Sequence, residues 1–364
     1  MTASSGPEVV IWDPTYACPL RCIHCYSESG RRPSRQLGHE DMVRVAEALI
    51  SLKPRVVALG GGEPLLVKGI FEIADQLSRA GIKTSLYTGG WTMQPWMTER
   101  LAEFDEVLVS LDGATAAVHD RIRGRPGSFD HALRALELLD SAAREKREER
   151  RQREQREQRE PQSQPDGPHG TFGIDYVVVR SNFGQLEEFC RTVPGRFPEL
   201  GTVNFNAAIP AGLASRPEFG DHELLDEEQL AELVAPETVA RLQAAVPETV
   251  GIFTSDNLVL QMHPDRLAAG EFAPVMQVEP DGEVRGMPIY EGTVGSLLDE
   301  EPHKLWARSL ARWHDRFVVE TLTPVRTMRD WAAAVRRIDY HFGSPEVRAR
   351  IDRRKPLPLA GEPC

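Results

Sequence analysis

The stretch Cys18-Pro-Leu-Arg-Cys22-Ile-His-Cys25 places three cysteines within eight residues near the start of a 364-residue chain. A structural zinc site usually takes four protein ligands, and an iron–sulfur cluster that only transfers electrons takes four cysteines. Three close thiolates without a fourth nearby are instead typical of a [4Fe–4S] cluster in which one iron stays open to bind another molecule. The spacing C-x3-C-x2-C therefore predicts Cys18, Cys22 and Cys25 as ligands of such a cluster.

Two alternatives remain open for the triplet taken alone. The spacing can arise by chance, or His24 can act as a fourth ligand in a small zinc knuckle. Because His24 lies between two of the cysteines, closing a tetrahedron from Cys22, His24 and Cys25 would strain so short a segment. The motifs that follow along the chain favour the iron–sulfur interpretation.

A second motif, Gly60-Gly61-Gly62-Glu63-Pro64, follows the apolar run Val56–Leu59. The run predicts a buried strand, and glycines at the carboxyl end of a strand let a ligand approach the backbone. Glu63 adds a carboxylate at the same place. An ordinary glycine-rich turn is the alternative, but the position about forty residues after the cysteines favours one shared site.

Similar motifs end two later apolar runs. Tyr87-Thr88-Gly89-Gly90 follows the first, and Ser110-Leu111-Asp112-Gly113 follows the second. Downstream of these lie His119-Asp120, Arg123-Gly124 and Gly127-Ser128-Phe129-Asp130. With these motifs in this order, the chain resembles the radical S-adenosylmethionine (SAM) enzymes, and among them the pyrroloquinoline quinone and mycofactocin peptide maturases. The resemblance covers roughly residues 8–213.

The resemblance implies that the open iron binds the amino and carboxylate groups of SAM, whose reductive cleavage gives a 5′-deoxyadenosyl radical. It also implies that the segment around Glu63 holds the SAM ammonium, and that Ser110 and Asp112 contact the ribose hydroxyls. The cofactor-binding candidates are Gly61, Gly62, Glu63, Pro64, Thr88, Ser110, Asp112, Arg180, Asn182 and His24. No further catalytic residue is assigned.

Strands and helices alternate along the first part of the chain. The pattern predicts strands at 9–12, 55–59, 83–87, 106–111, 172–179 and 202–207, and helices at 39–52, 68–80, 93–103, 129–143 and 183–194. Such alternation specifies parallel βαβ units. We expect an α/β fold with a partial (β/α)6 barrel over residues 1–213 and a smaller α+β lobe over residues 214–364. All the candidate site residues fall at carboxyl ends of strands, where barrel active sites lie.

A charged segment, residues 144–170, interrupts this pattern. Its part between 144 and 160 has eight basic and six acidic residues, a net charge of only +2, and the segment has no apolar stripe. We expect helix 129–143 to extend into solvent, followed by a Pro/Gln/Gly linker. A nucleic-acid-binding or partner-binding arm is the alternative.

The C-terminal lobe contains a predicted β-hairpin around Pro280-Asp281-Gly282. It resembles the SPASM domains, which carry extra iron–sulfur clusters, except that Met287 stands where those domains have cysteine. Only Cys190 and Cys364 remain outside the triplet. Cys190 lies on a helix with an apolar period and is expected to be a small core residue. The lobe is therefore interpreted as SPASM-like but without its cluster.

The composition of the chain bears on its binding partners and its compartment. The net charge of −12 argues against nucleic acid, which requires a basic surface. No apolar run reaches the length of a membrane span, and the start of the chain lacks a signal-peptide core. An iron–sulfur cluster needs a reducing compartment, which predicts a cytoplasmic protein. The expected electron donor is a flavodoxin or ferredoxin.

The leading functional hypothesis is a radical SAM enzyme that modifies a ribosomally made peptide. Leader recognition would then come from a separate protein, because residues 1–7 are too short for such a module and 315–360 show no clear strand pattern. The alternative substrate is a small natural-product intermediate such as an amino sugar or nucleoside, and the non-enzymatic alternative is an iron–sulfur or zinc-knuckle scaffold. Without a second cluster as an electron acceptor, epimerisation, rearrangement or another redox-neutral reaction is favoured over oxidative cross-linking.

Overall fold

The computed structural model describes residues 6–157 and 172–357. In these residues ten strands form one sheet in the order β10-β9-β8-β1-β2-β3-β4-β5-β6-β7. The strands are β1 (Val9–Trp12), β2 (Val56–Leu59), β3 (Lys83–Thr88), β4 (Glu106–Ser110), β5 (Phe172–Val178), β6 (Thr202–Ala207), β7 (Gly251–Ser255), β8 (Val275–Val278), β9 (Glu283–Arg285) and β10 (Thr293–Ser296). Strands β1 to β7 pair in parallel with their neighbours, and β8 is parallel to β1 on its other side.

Helices cover the outer face of this sheet. Most of them alternate with the strands along the chain, and the last four follow β10. Those before β7 are α1 (His39–Leu52), α2 (Ile70–Arg79), α3 (Thr98–Leu101), α4 (Ala116–Arg123), α5 (Ser128–Glu157), α6 (Arg180–Phe183), α7 (Leu186–Thr192), α8 (Pro217–His222), α9 (Glu227–Val234) and α10 (Pro236–Gln243). The later ones are α11 (Pro264–Ala269), α12 (Pro302–Trp313), α13 (Arg316–Leu322), α14 (Met328–Phe342) and α15 (Pro345–Asp352). None of the helices described is both long and apolar enough to cross a membrane.

The core lies between the sheet and these helices. In β1, Val10 and Trp12 are buried against the helices, whereas the alternate residues Val9 and Ile11 are only half-buried. This alternation follows from the two-residue period of a strand, which sends successive side chains to opposite faces. On the helical side, α1 packs Val45 and Leu49 into the same core. The second face of β1 is therefore less completely covered than the face that packs into the core.

The predicted α/β fold with a parallel sheet is confirmed, and the sheet is not closed. Two helices depart most from their predicted bounds. The helix expected over 93–103 is α-helical only over Thr98–Leu101, after a 3₁₀ turn at Pro95–Met97. The helix expected over 183–194 is α-helical only over Leu186–Thr192 (α7), and a separate short helix, α6, ends at Phe183. Neither difference moves the strand ends.

The charged segment continues helix α5 as expected, since α5 runs unbroken to Glu157. Residues 144–149 are exposed, although Arg147 forms an ion pair with Glu199 at 3.0 Å. The linker expected over 161–170 lies outside the described residues.

The C-terminal part adds strands to both ends of the predicted barrel. The sequence analysis missed β7, which pairs with β6, and did not foresee that β8 pairs with β1. The hairpin predicted around Pro280-Asp281-Gly282 is present as β8 and β9, which are antiparallel. The domain boundary at residue 213 stays a prediction, because one sheet runs through both parts.

A buried ion cluster fixes the C-terminal part against the loop after β1. Its members are Glu28, Arg32, Glu279, Arg285, Glu291, Arg350 and Arg354. Glu28 accepts hydrogen bonds from Arg350 Nε at 3.1 Å and Arg354 Nη2 at 2.7 Å. Helix α15 and the residues after it are thereby attached to the loop that carries the cysteines.

Candidate functional site

The three cysteines lie on the loop that leaves β1, here called the cysteine loop (residues 13–35). Cys18, Cys22 and Cys25 are all half-buried. The main chain of the loop is held from two sides. Arg21 N and Ile23 N donate to the carbonyls of Arg123 and Ile122 at 3.0 and 2.9 Å, and Leu213 N donates to the Cys25 carbonyl at 3.0 Å. The loop is therefore fixed by contacts distant in sequence.

Two of the three thiols have a hydrogen-bonding group beside the sulfur atom. The Leu20 amide donates to Cys18 Sγ at 3.4 Å, and the Ser27 hydroxyl lies 3.5 Å from Cys25 Sγ. Hydrogen bonds of this kind to the sulfurs tune such clusters. Burial raises the pKa of Cys22 to about 11, and the nearby Arg123 cation opposes that rise.

The zinc alternative receives no support from the donor positions. In residues 6–157 and 172–357, no three His, Cys, Asp or Glu side chains converge on the position of a single metal ion, as a zinc knuckle would need. A cubane differs because each thiolate binds a different iron, so its ligands stand farther apart. His24 Nδ1 is buried without a hydrogen-bond partner among the described residues, and burial lowers the pKa of its ring to about 4. The neutral ring adds no charge beside the thiols.

The segment Gly60–Pro64 lies directly against the cysteine loop. Gly62 N and Glu63 N donate to the carbonyls of Thr15 and Ala17 at 2.8 and 2.9 Å. A Cβ on Gly62 would lie 2.2 Å from the Ala17 carbonyl oxygen, and Gly61 has φ +80°. The close approach that these glycines permit is therefore made by the cysteine loop itself, where the sequence suggested a ligand.

Glu63 is buried at the centre of a hydrogen-bonded group. Thr88 Oγ1 lies 2.9 Å from both carboxylate oxygens, and the amides of Gly89 and Leu65 donate to them at 3.0 and 3.2 Å. Burial raises the pKa of Glu63 to about 7. The two predicted residues Glu63 and Thr88 are thus brought together, and Pro64 begins the 3₁₀ turn that follows.

We expect Glu63→Ala to weaken SAM binding by about 10- to 100-fold while the cluster still assembles. The carboxylate would form a charge-assisted hydrogen bond to the SAM ammonium, worth roughly 1.5–3 kcal/mol. Affinity of the wild type should rise between pH 6 and 7.5, since Glu63, with its pKa of about 7, becomes charged over that interval. Equilibrium binding of SAM to the reconstituted protein measures both effects.

Glu47→Ala is the matched control, because Glu47 is an exposed residue of α1. Unchanged affinity in Glu63→Ala would mean that Glu63 only fixes the turn. A wild-type affinity that is flat across this pH interval would also contradict the assignment.

Ser110 is the last residue of β4 and is buried, and Asp112 follows two residues later. Asp112 is fully buried, and Arg123 contacts both of its oxygens: Nη2 donates to Oδ1 at 2.8 Å, and Nε lies 2.6 Å from Oδ2. This cation holds the pKa of Asp112 below its usual range despite the burial. The Asp112 carboxylate is therefore engaged within the protein, and its contact with the SAM ribose stays a prediction.

Arg180 and Asn182 follow β5 and bond to the main chain. Asn182 is fully buried; its amide donates to the carbonyls of Asp112 and Val177, both at 3.0 Å, and its oxygen accepts from Val179 N at 2.8 Å. Arg180 Nη1 donates to the Asp221 carbonyl at 2.9 Å. Asn182 thus joins the ends of β4 and β5, and the roles of both residues toward SAM stay predictions.

The sequence analysis assigned no role to Arg123, which contacts two of the predicted site residues. Its guanidinium reaches Cys22 Sγ as well as Asp112. The available signal was the pair Arg123-Gly124 within the motif after Asp112, but spacing alone does not reveal which way the side chain points.

Comparison with known proteins agrees with this arrangement. Residues 12–145 match the Radical SAM superfamily. This part of the chain is therefore similar to a radical SAM domain. It includes the cysteine loop, the segment around Glu63 and the Asp112–Arg123 pair.

Two curated relatives illustrate the similarity. The chain is 39% identical over 209 residues to the mycofactocin maturase MftC of Mycobacterium tuberculosis (strain ATCC 25618 / H37Rv), covering 57% of this chain and 46% of that protein. It is 34% identical over 142 residues to the AdoMet-dependent heme synthase of Methanosarcina barkeri (strain Fusaro / DSM 804), covering 38% and 41%. The chain therefore spans less than half the length of these relatives. Both relatives are enzymes by name, a maturase and a synthase.

Solved structures share the fold. Streptococcus suis SuiB superposes with a TM-score of 0.59 at 14% identity, covering 88% of this chain and 69% of SuiB. The protein anSMEcpe with bound AdoMet superposes with a TM-score of 0.56 at 14% identity, covering 96% of this chain and all (100%) of that chain. At this identity the likeness shows the fold alone.

Proposed function

We propose that this chain binds one [4Fe–4S] cluster through Cys18, Cys22 and Cys25, cleaves SAM, and removes hydrogen from a ribosomally made peptide. The observation that carries the proposal is the cysteine loop itself: three half-buried thiols, two of which have a hydrogen-bonding group within 3.5 Å of the sulfur, beside the buried Glu63. When bound, the cluster would supply the electron that splits SAM into methionine and a 5′-deoxyadenosyl radical.

The residues of the chain have the following parts in this proposal. Cys18, Cys22 and Cys25 hold three irons of the cluster, and Glu63 binds the SAM ammonium. Thr88 and the Gly89 amide orient the Glu63 carboxylate through their hydrogen bonds. Asn182 acts through the main chain by joining the ends of β4 and β5. The cysteine loop packs directly against Gly61 and Gly62.

A peptide substrate is supported by the relatives. The mycofactocin maturase is a 39% identical relative, and SuiB, which shares the fold, has been solved bound to the precursor peptide SuiA. A non-peptide substrate is the second candidate, because the Methanosarcina barkeri relative is a heme synthase. An amino sugar or nucleoside remains our small-molecule alternative. A flavodoxin or ferredoxin as electron donor, a separate leader-recognition protein and a cytoplasmic setting belong to the same proposal.

Anaerobic reconstitution followed by iron analysis and a SAM-cleavage assay tests this proposal. We expect about four irons per chain and formation of 5′-deoxyadenosine that increases when a peptide encoded beside the gene is added. Stimulation by an amino sugar or nucleoside instead would favour the second candidate. A chain with no iron, or one that binds zinc, would overturn the proposal.

The number of clusters is tested by the same measurement. Met287 is buried, Cys190 is 1% exposed on α7, and Cys364 lies outside the described residues. Two such thiols do not make the usual ligand set of a second cubane. The Cys190→Ala/Cys364→Ala double variant should therefore keep the iron content of the wild type. A fall to about half would reveal a second cluster and revive oxidative cross-linking.

A further inference from the structure

Arg123 places a positive charge between a buried carboxylate and a predicted cluster ligand. It is the last residue of α4 and is only 7% exposed. Two of its nitrogens contact Asp112, as described above, and the third, Nη1, lies 3.9 Å from Cys22 Sγ. Nε and Nη2 of the guanidinium therefore bind Asp112, and Nη1 points toward the Cys22 thiol.

Asp112, which binds Arg123, is itself held by hydrogen bonds. Asp112 Oδ1 also accepts from the Val177 amide at 2.9 Å, and the Asp112 amide donates to His119 Nδ1 at 2.9 Å. Burial lowers the pKa of His119 to about 4, so this ring is neutral. These hydrogen bonds fix the position of the Asp112 carboxylate, and the carboxylate in turn orients the Arg123 guanidinium.

The main chain of the same segment holds the cysteine loop. Arg123 O and Ile122 O accept from the loop amides on either side of Cys22. The next residue, Gly124, has φ +65°, and a Cβ there would lie 2.2 Å from the Arg21 carbonyl oxygen. The distance between the guanidinium and Cys22 is therefore fixed by two independent connections, one through the backbone and one through Asp112.

We propose that Arg123 is a positioning residue that stabilises the reduced cluster through Cys22, with Asp112 aiming its charge. The inference rests on the proposed function. One electron from a donor of the flavodoxin or ferredoxin class enters the cluster without a change in protein bonding, and the added negative charge is favoured by a cation beside a ligating sulfur. Net charge and hydrogen bonds to the sulfurs set the potentials of such clusters, and a buried charge acts strongly because the surroundings screen it weakly.

Opposite substitutions in this pair should shift the potential in opposite directions. Arg123→Gln removes the cation and leaves the Asp112 charge uncompensated, so the midpoint potential should become more negative. Asp112→Asn removes the anion and keeps the cation, so the potential should become less negative. The Arg123→Gln/Asp112→Asn double variant should lie between them. A residue that only maintains the fold would not produce two shifts of opposite sign.

The experiment is a redox titration of the anaerobically reconstituted protein without SAM, followed by electron paramagnetic resonance. Arg121→Gln is the matched control, because Arg121 lies on the same helix and instead binds Glu223 at 2.9 Å; its potential should equal that of the wild type. Arg123→Lys keeps the charge without the fork and should fall between wild type and Arg123→Gln. Arg123→Gln should also bind its iron about 10- to 100-fold more weakly against a chelator, the usual cost of losing such a supporting contact.

Equal potentials in Arg123→Gln, Asp112→Asn and Arg121→Gln, at full iron content, would overturn the inference. If Arg123→Gln does not hold a cluster, the potentials of Arg123→Lys and Asp112→Asn test the inference. A midpoint potential equal to that of the wild type in both variants would also overturn the inference. A wild-type protein without a cluster would instead refute the proposed function, so the two failures are distinguishable.

Discussion

Replacing Cys22 with alanine is expected to remove the cluster and to abolish formation of 5′-deoxyadenosine. Three thiolates are the minimum set that leaves one iron open, so the loss of one leaves the cubane under-ligated. Cys18→Ala and Cys25→Ala should behave in the same way. Because Cys22 is only half-buried, the substitution removes little packing and the protein should remain folded. Iron and sulfide analysis, with detection of 5′-deoxyadenosine after reduction, measures the effect.

Cys190→Ala is the control for this series. Cys190 is buried in α7, and its loss should leave both iron content and SAM cleavage at the wild-type level. Retained SAM cleavage in Cys22→Ala would contradict the assignment of the cysteine loop. A normal iron content in all three single variants would contradict it as well.

Replacing Arg285 with methionine is expected to lower the free energy of unfolding by about 3–5 kcal/mol, the cost of breaking a buried ion pair from one side. Its side chain is fully buried, and Nε donates to Glu279 Oε1 at 3.0 Å. Its Nη2 also lies 3.7 Å from Glu291 Oε1. Methionine fills similar space but leaves both carboxylates with fewer partners. Unfolding in urea, followed by circular dichroism, gives the free energy.

The ion pair between Arg285 and Glu291 also makes the free energy of unfolding depend on pH. The cations around Glu291, Arg285 first, lower its pKa to about 2 despite burial. For a carboxyl group with a depressed pKa, the stabilisation is present above the ordinary value and is lost as the pH falls toward the folded value. The stability difference between wild type and Arg285→Met should therefore narrow between about pH 4.5 and pH 2.

Arg316→Met serves as the comparison, because Arg316 is 91% exposed in its ion pair with Glu320. It should unfold at the wild-type urea concentration. Equal stability of Arg285→Met and Arg316→Met would show that the buried ion cluster contributes nothing to the attachment of the C-terminal part.

Local sequence was sufficient for the features that depend on neighbouring residues. Apolar runs ending in glycine or carboxylate predicted the strand ends near Glu63 and Ser110, whereas the cluster predicted from the cysteine spacing stays a prediction. The strand bounds Val9–Trp12 and Thr202–Ala207 agree with the prediction. These features follow from the two-residue period of strands and from turn chemistry, both of which act over a few residues.

Only the tertiary structure decided which groups meet across long separations. The sequence did not reveal that the Asp112 carboxylate contacts Arg123, or that the Arg123 guanidinium reaches Cys22, 101 residues away. Sequence also left Gly62 open to a ligand, whereas the fold places the Ala17 carbonyl against it. The pairing of β8 with β1 could not be read from either strand. Periodicity determines which face of an element is buried, but strand order and side-chain direction depend on packing between distant segments, and that packing assembles this site.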